Sequence, residues 1–263
     1  MDKEKIAEIS EIVKIAENKN MATPVICVDK IINVKSTGFE DVTIDDMAVP
    51  YISLLQDLSD AVLNGTPEAI KGRFFLSTSK KVLIPPVRVV ICGFKKVWSE
   101  WDKAVEGNYI TEHTNPNIVL EAKRHPENGR LMLTNGHRID ESQKYFVMIL
   151  HDDGTMEKVV LKLKYASLKA GRNLMTRLKS LTIPFGNELL PLPMYASIWT
   201  MDSFDDQNKE GKKYKNFKFS FEKFIDNELV WKQCKKFCEE AMGCLVKEDI
   251  VEEKIIHENE IPF

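Results

Sequence analysis

Between Lys209 and Phe224 the chain reads Lys-Glu-Gly-Lys-Lys-Tyr-Lys-Asn-Phe-Lys-Phe-Ser-Phe-Glu-Lys-Phe, so Lys212, Lys213, Lys215 and Lys218 interleave with Tyr214, Phe217, Phe219 and Phe221. A single strand of nucleic acid offers two handles that suit such a mixture. Lysines neutralise its phosphates and release their counterions, and rings stack on its unpaired bases at about 1–3 kcal/mol each. Side chains on a strand alternate between faces. Phe217, Phe219 and Phe221 therefore share one face, and Tyr214, Asn216, Lys218 and Ser220 the other. Three phenylalanines on one face more often build a core than a stacking platform. In that case Tyr214 and Lys218 become the nucleic-acid candidates, while Lys212 and Lys213, in the loop before the strand, are open to phosphates either way.

Two further stretches combine the same residue types. In Phe94-Lys95-Lys96-Val97-Trp98-Ser99-Glu100-Trp101, two indoles stand near two lysines. Trp98 and Trp101 suit base stacking, or one fills the core and the other covers a strand end. Lys162, Lys164, Tyr165, Lys169, Arg172 and Arg177 form a basic run that serves either phosphate capture or a solvated face. No stretch is specific by itself; the three within one chain, with the C-terminal tail, point jointly to nucleic-acid binding.

Catalytic signatures are sparse. The chain lacks a Gly-rich phosphate loop ending in Gly-Lys-Ser/Thr, His-Glu-x-x-His and a cysteine zinc spacing. His113, His125, His137 and His151 are loosely spaced and read as loop and turn residues. Glu121-Ala122-Lys123, with Asp102 upstream, resembles the acid…Glu-x-Lys pattern of metal-dependent nucleases, in which carboxylates hold Mg²⁺ and lysine assists the attacking water. Glu-x-Lys is common by chance, and the main reading is non-enzymatic, with no cofactor; a virion or scaffold component is a further alternative.

The net charge of −3 over 263 residues hides an asymmetry. From Lys247 to Phe263 the acids Glu248, Asp249, Glu252, Glu253, Glu258 and Glu260 face two lysines, which gives −4 there and leaves about +1 for the rest. Glu258, Glu260, Ile261, Pro262 and Phe263 then read as a partner-binding tip: a pocket on another protein takes the ring, and basic residues take the carboxylates. The five cysteines show no Cys-x-x-Cys pair, the N-terminus is polar, and no apolar run reaches membrane-spanning length, so a reducing host-cell cytoplasm is expected.

The elements that must position these residues follow from periodicity. Residues 2–19 predict an amphipathic helix, and Val25–Val34 a strand. Ile52–Leu63 reads as helical and Val87–Trp98 as a long strand. Tyr145–His151 and Thr155–Lys164 predict a hairpin across Asp152-Asp153-Gly154, with Val159, Leu161 and Leu163 on its apolar face. Tyr165–Leu181 predicts a helix, residues 184–193 a loop, Met194–Met201 and Lys213–Phe221 two strands, and Phe224–Cys244 a helix. From residue 87 the order is strand, insertion, strand, strand, helix, strand, strand. The expected class is α+β, mainly β: an OB-fold-like five-stranded Greek-key barrel over residues 23–245, with peripheral helices, an N-terminal helix over 1–22 and an acidic tail over 246–263.

Pro50-Tyr51-Ile52-Ser53-Leu54-Leu55-Gln56, then Gly72-Arg73-Phe74-Phe75 and Val87–Trp101, and later Gly211–Phe217, resemble a family of bacteriophage single-stranded-DNA-binding proteins over roughly Pro50 to Phe224. The resemblance implies an OB-type core and a role in DNA replication or recombination, and no residue-level binding map. The final Ile-Pro-Phe resembles the tip of bacterial single-stranded-DNA-binding proteins, with Asn259 interrupting the acidic run. That resemblance implies replication partners such as a polymerase, helicase or primase. Oligomeric state stays open.

Overall fold

Tyr145–Leu150 is apolar throughout, Val159, Leu161 and Leu163 alternate with Val160, Lys162 and Lys164, and the two runs pair in the register that puts Tyr145 opposite Leu161 and Val147 opposite Val159. The turn between them is the expected one: Gly154, with φ of 84°, donates its N–H to the His151 carbonyl at 3.0 Å. A left-handed backbone costs glycine nothing. The structure is a computed structural model that describes residues 49–102, 108–126, 129–208 and 211–258, the side chains of 244–258 excepted. The predicted helix over 2–19 and the strand Val25–Val34 lie outside these residues, as do residues 259–263.

The described chain is mainly β. In order come β1 (Tyr51–Leu54), α1 (Asp60–Leu63), β2 (Phe74–Leu76), β3 (Val82–Leu83), β4 (Val87–Trp101), β5 (Tyr109–His113), β6 (Lys123–Arg124), β7 (Leu131–Met132), β8 (Arg138–Leu150) and β9 (Met156–Lys164). Then follow α2 (Leu168–Lys179), β10 (Thr182–Phe185), β11 (Glu188–Pro191), β12 (Ser197–Gln207), β13 (Lys213–Phe224) and α3 (Glu228–Glu258). An 11-stranded sheet runs β13-β12-β4-β8-β9-β1-β2-β3, with β5 added to β4 and β7 to β8. It is mixed because β1 joins β9 in parallel. The sheet curls into a half-barrel.

Strand alternation decides which residues enter the half-barrel. Val87, Val89 and Ile91, Tyr145, Val147 and Ile149, Val159, Leu161 and Leu163, Trp199 and Met201, and Phe217 and Phe219 form its interior. Leu174 and Leu178 of α2 pack into the same core, and burying each contributes about 1.5–3 kcal/mol. Val90, Cys92, Met148 and Ile198 point to the opposite face, where Cys234 and Phe237 of α3 cover them. A bulge between Ile91 and Gly93 shifts β4 by one residue, so Phe94 rather than Lys95 turns toward the interior.

Several local expectations change. Ile52–Leu63 is helical only over Asp60–Leu63; Tyr51–Leu54 is a strand, because Ile52 and Leu54 are buried between β9 and β2. Pairing on both edges there outweighs helix propensity. Residues 184–193 hold most of a β10–β11 hairpin, and the strand expected from Met194 starts at Ser197 and runs to Gln207. The backbone of α3 continues through Glu258. No helix among the described residues is long and apolar enough to cross a membrane.

Candidate nucleic-acid interface

The register places Lys95 opposite Lys144, and Lys144 opposite Lys162. Three lysines thus line up across β4, β8 and β9 on the face opposite the half-barrel interior. Like charges set directly across a sheet repel. Val97, Ser142 and Lys164 form the next row. Counter-charge arrives from β5, whose Glu112 sits opposite Ser99. One Glu112 oxygen lies 2.6 Å from Lys162 Nζ and the other pairs with Lys144. Lys162 Nζ also donates to Ser99 Oγ at 3.0 Å. Burial alone would raise the Glu112 pKa, but hydrogen bonds from Lys144 and Lys162 outweigh it and hold the carboxyl below its ordinary value. Lys164 is lowered, first by burial and then by the neighbouring Lys162 charge.

Beyond this row, Trp101 is half-buried among cations. The Arg138 guanidinium lies 5.2 Å and Lys164 Nζ 5.5 Å from its ring centre, and Tyr109 meets it edge-on at 5.8 Å. Its indole N–H is buried without a hydrogen-bond partner among the described residues. Arg138 pairs with Asp140 at 3.0 Å, and Asp140 accepts a 2.7 Å hydrogen bond from Tyr165. Burial, then that hydrogen bond, pushes the Tyr165 hydroxyl up to about 12.

Other candidates lie elsewhere. Lys96 is next to Lys95 in sequence but on the opposite face, 3.1 Å from Glu141 and above the Trp98 ring at 5.3 Å. Trp98 itself is buried, 5% exposed, so the pair of indoles divides into one core residue and one strand-end residue. Arg172 reaches Glu141 at 3.7 Å. Arg177 donates to the Phe219 carbonyl at 2.7 Å and lies 4.8 Å from the Trp199 ring, which ties α2 to the edge of β13. On this same face Glu100 bridges His113 and His137, each at 2.6 Å. Burial opposes its ionisation, yet hydrogen bonds to His137 and His113 bring its pKa below the ordinary value.

The basic stretch of β13 is largely neutralised by its partner strand. Asp202 stands opposite Lys218, Asp205 opposite Lys215 and Asp206 opposite Tyr214. Lys215 Nζ lies 3.0 Å from Asp205, and Tyr214 donates to Asp206 at 3.0 Å. Phe217 and Phe219 are core residues, whereas Phe221 is 37% exposed. Lys213 begins the strand opposite Gln207, and Lys212 precedes it in the loop. Between α2 and this hairpin lies a groove of about 630 Å³, with Lys169 and Lys218 among its lining residues and Phe204, Phe217 and Phe219 on its apolar side.

The nuclease-like residues do not converge on a metal. Asp102 accepts from the Asn108 backbone N–H at 2.7 Å and side-chain amide at 3.0 Å, which holds the end of β4 to the residue before β5. Glu121 and Lys123 are exposed, and Lys123 pairs with Met132 in the short β6–β7 ladder. Among the described residues no group of three His, Cys, Asp or Glu side chains could hold a metal ion. Glu258 ends α3, and Glu260, Ile261, Pro262 and Phe263 lie outside the described residues.

Sequence reasoning missed Lys144, Arg138 and Glu112. Lys144 was within reach: counting outward from the Asp153-Gly154 turn puts it opposite Lys162. Glu112 carried no such signal, because β5 is short and separated from β9 by the whole of β8 in sequence.

No curated protein and no solved structure matches the chain. A family profile described as Pam3 phage gp34-like protein matches residues 18–247, across both the half-barrel and the face just described. That span covers most of the 263 residues, and the chain belongs to the Pam3 phage gp34-like family.

Proposed function

We propose that this phage-family protein binds single-stranded DNA with little sequence preference, during replication or recombination, on the face carrying Lys95, Lys144, Lys162 and Lys164. The observation that carries the reading is the lysine row across β4, β8 and β9. Such a row calls for anions: Glu112 supplies one in the free protein, and a polyanion lying across the row supplies more. Half-buried Trp101 and exposed Tyr109 and Tyr165 border the row and supply rings for bases.

Strand order supports the same reading. Taken alone, β4, β8, β9, β12 and β13 are arranged as β13-β12-β4-β8-β9, with α2 between β9 and β12. In an OB-type barrel numbered one to five along the chain, this is the order five-four-one-two-three. Oligonucleotides bind such barrels on strands two and three and on the loops joining one to two and four to five. Here those parts are β8 and β9, the long β4–β8 connection, and the β12–β13 loop with Lys212. The added strand β1 takes the place beside β9 where a five-stranded barrel would close.

Titration of a labelled oligo-dT at two salt concentrations, with duplex DNA of the same length as competitor, tests the proposal. The expected result is binding to oligo-dT that weakens steeply with salt, weak competition by duplex, and an intact oligonucleotide in Mg²⁺. An affinity for oligo-dT too weak to detect at low ionic strength overturns it.

A further inference from the structure

We propose that Lys144, Lys162 and Ser99 form a phosphate subsite, which Glu112 fills in the free protein and a DNA phosphate takes over on binding. The inference rests on the single-stranded-DNA reading and adds a specific occupant and a specific exchange. The cradle draws on three paired strands: Lys144 on β8 and Lys162 on β9 supply the two ammonium donors, and Ser99 on β4 accepts from Lys162 and holds it in place. Its occupant is a carboxylate whose two oxygens are divided between the two ammonium groups. A phosphodiester also presents two anionic, non-bridging oxygens, so Glu112 stands in for the group that the cradle suits.

Burial makes a permanent anion necessary. The side chains of Lys144, Lys162 and Glu112 are only 18%, 17% and 16% exposed. Two ammonium groups so withdrawn from water repel each other unless an anion lies between them. The protein therefore carries its own until a nucleic acid supplies one. The holders and the occupant are not equally fixed. β8 is paired along both edges, to β4 and β9, and β9 lies between β8 and β1, whereas among the described residues β5 pairs only with β4, over Trp98–Trp101. Exchange also leaves β5 in place, since its next residue, His113, is held by Glu100 on the opposite face at 2.6 Å. Only the Glu112 side chain has to turn away. Free inorganic phosphate carries the same oxyanion chemistry as a phosphodiester, and the two sources are separated in the test.

The test compares wild type, Glu112→Gln and Lys162→Gln in oligo-dT binding by fluorescence anisotropy. Thermal melting with and without inorganic phosphate runs in parallel. Glu112→Gln, which keeps the shape and removes the competing charge, is expected to bind oligo-dT about ten-fold tighter. Lys162→Gln keeps the Lys144–Glu112 pair and is expected to bind more weakly, with a salt slope reduced by about 1. If wild type binds but Glu112→Gln binds no tighter, or Lys162→Gln binds as wild type does, the subsite is wrong and the DNA reading stands. If neither wild type nor Glu112→Gln binds oligo-dT while phosphate stabilises Glu112→Gln, the anion subsite stands and the DNA reading falls. If Glu112→Gln does not fold, Lys162→Gln decides alone. Neither oligo-dT binding nor phosphate stabilisation in any folded variant overturns both.

Discussion

The side-chain amide of Gln56 pairs with both backbone groups of Lys215: Nε2 donates to the carbonyl at 2.8 Å and Oε1 accepts from the N–H at 2.9 Å. One side chain thus acts as one residue of a missing strand. It links the segment after β1 to the outer edge of β13 and draws the two ends of the curled sheet together. Ser203 adds to this by donating to the Gly72 carbonyl at 2.7 Å. Gln56→Leu removes both amide bonds and leaves the Lys215 backbone groups without them. It is expected to lower stability by about 1–3 kcal/mol, read as a shift in the urea midpoint, with faster hydrogen exchange at the Lys215 amide.

Gly171 lies where α2 crosses the half-barrel interior. A Cβ built there would sit 2.1 Å from Gln143 Oε1 and 3.0 Å from both Leu163 Cδ1 and the Tyr145 hydroxyl. Those neighbours are fixed, because Tyr145 donates to the Gly171 carbonyl at 2.9 Å and to Gln143 at 3.0 Å. Alanine normally stabilises a helix by up to about 1 kcal/mol over glycine. Here Gly171→Ala is expected to destabilise by about 1–3 kcal/mol instead, measured by chemical denaturation. A gain in stability would show that α2 can move away from β8 and β9.

Glu100 and Glu112 both have folded-state pKa values below the ordinary 4.5. A depressed carboxyl contributes stability that is complete above its unfolded value and is lost as pH falls through the folded one. Unfolding midpoints should therefore fall as the pH drops below about 4.5. Glu100→Gln and Glu112→Gln should each weaken this acid dependence and also lower stability at neutral pH. A steeper acid dependence in either variant would contradict the assignment.

The two lysine-rich surfaces should differ in DNA binding. Lys215 has Asp205 at 3.0 Å and Lys218 stands opposite Asp202, so each has its own acid on the neighbouring strand, whereas Lys144 shares Glu112 with Lys162. Lys215→Gln and Lys218→Gln are expected to change oligo-dT affinity less than about two-fold. Lys144→Gln and Lys164→Gln should each weaken it by about three- to ten-fold and reduce its salt dependence. The reverse ranking would move the interface to the β12–β13 hairpin and its groove.

Much of the architecture was legible in local pattern. The β8–β9 hairpin, its turn and its buried face followed from two β-prone runs around Asp152-Asp153-Gly154 and from the alternation of Val159, Leu161 and Leu163. The helix expected over Tyr165–Leu181 is α2, which buries Leu174 and Leu178 in the core. Such features depend on residues close in sequence, so the pattern and the structure report the same constraint. β1 was misread as helix because four residues carry too little periodicity, and the strands that settle the matter, β2 and β9, lie far apart in the chain.

The sequence by itself determined the alternation of apolar and basic residues, the order of the five long strands and α2 from Val87 onward, and the presence of several lysine clusters. Only the tertiary structure decided which acids meet which lysines. Asp202, Asp205 and Asp206 meet the basic stretch of β13 by hairpin register, while among the described residues Glu112 bridges Lys144 and Lys162. Charge acts through space at distances of a few ångströms, and the partner strands that set those distances are distant in sequence.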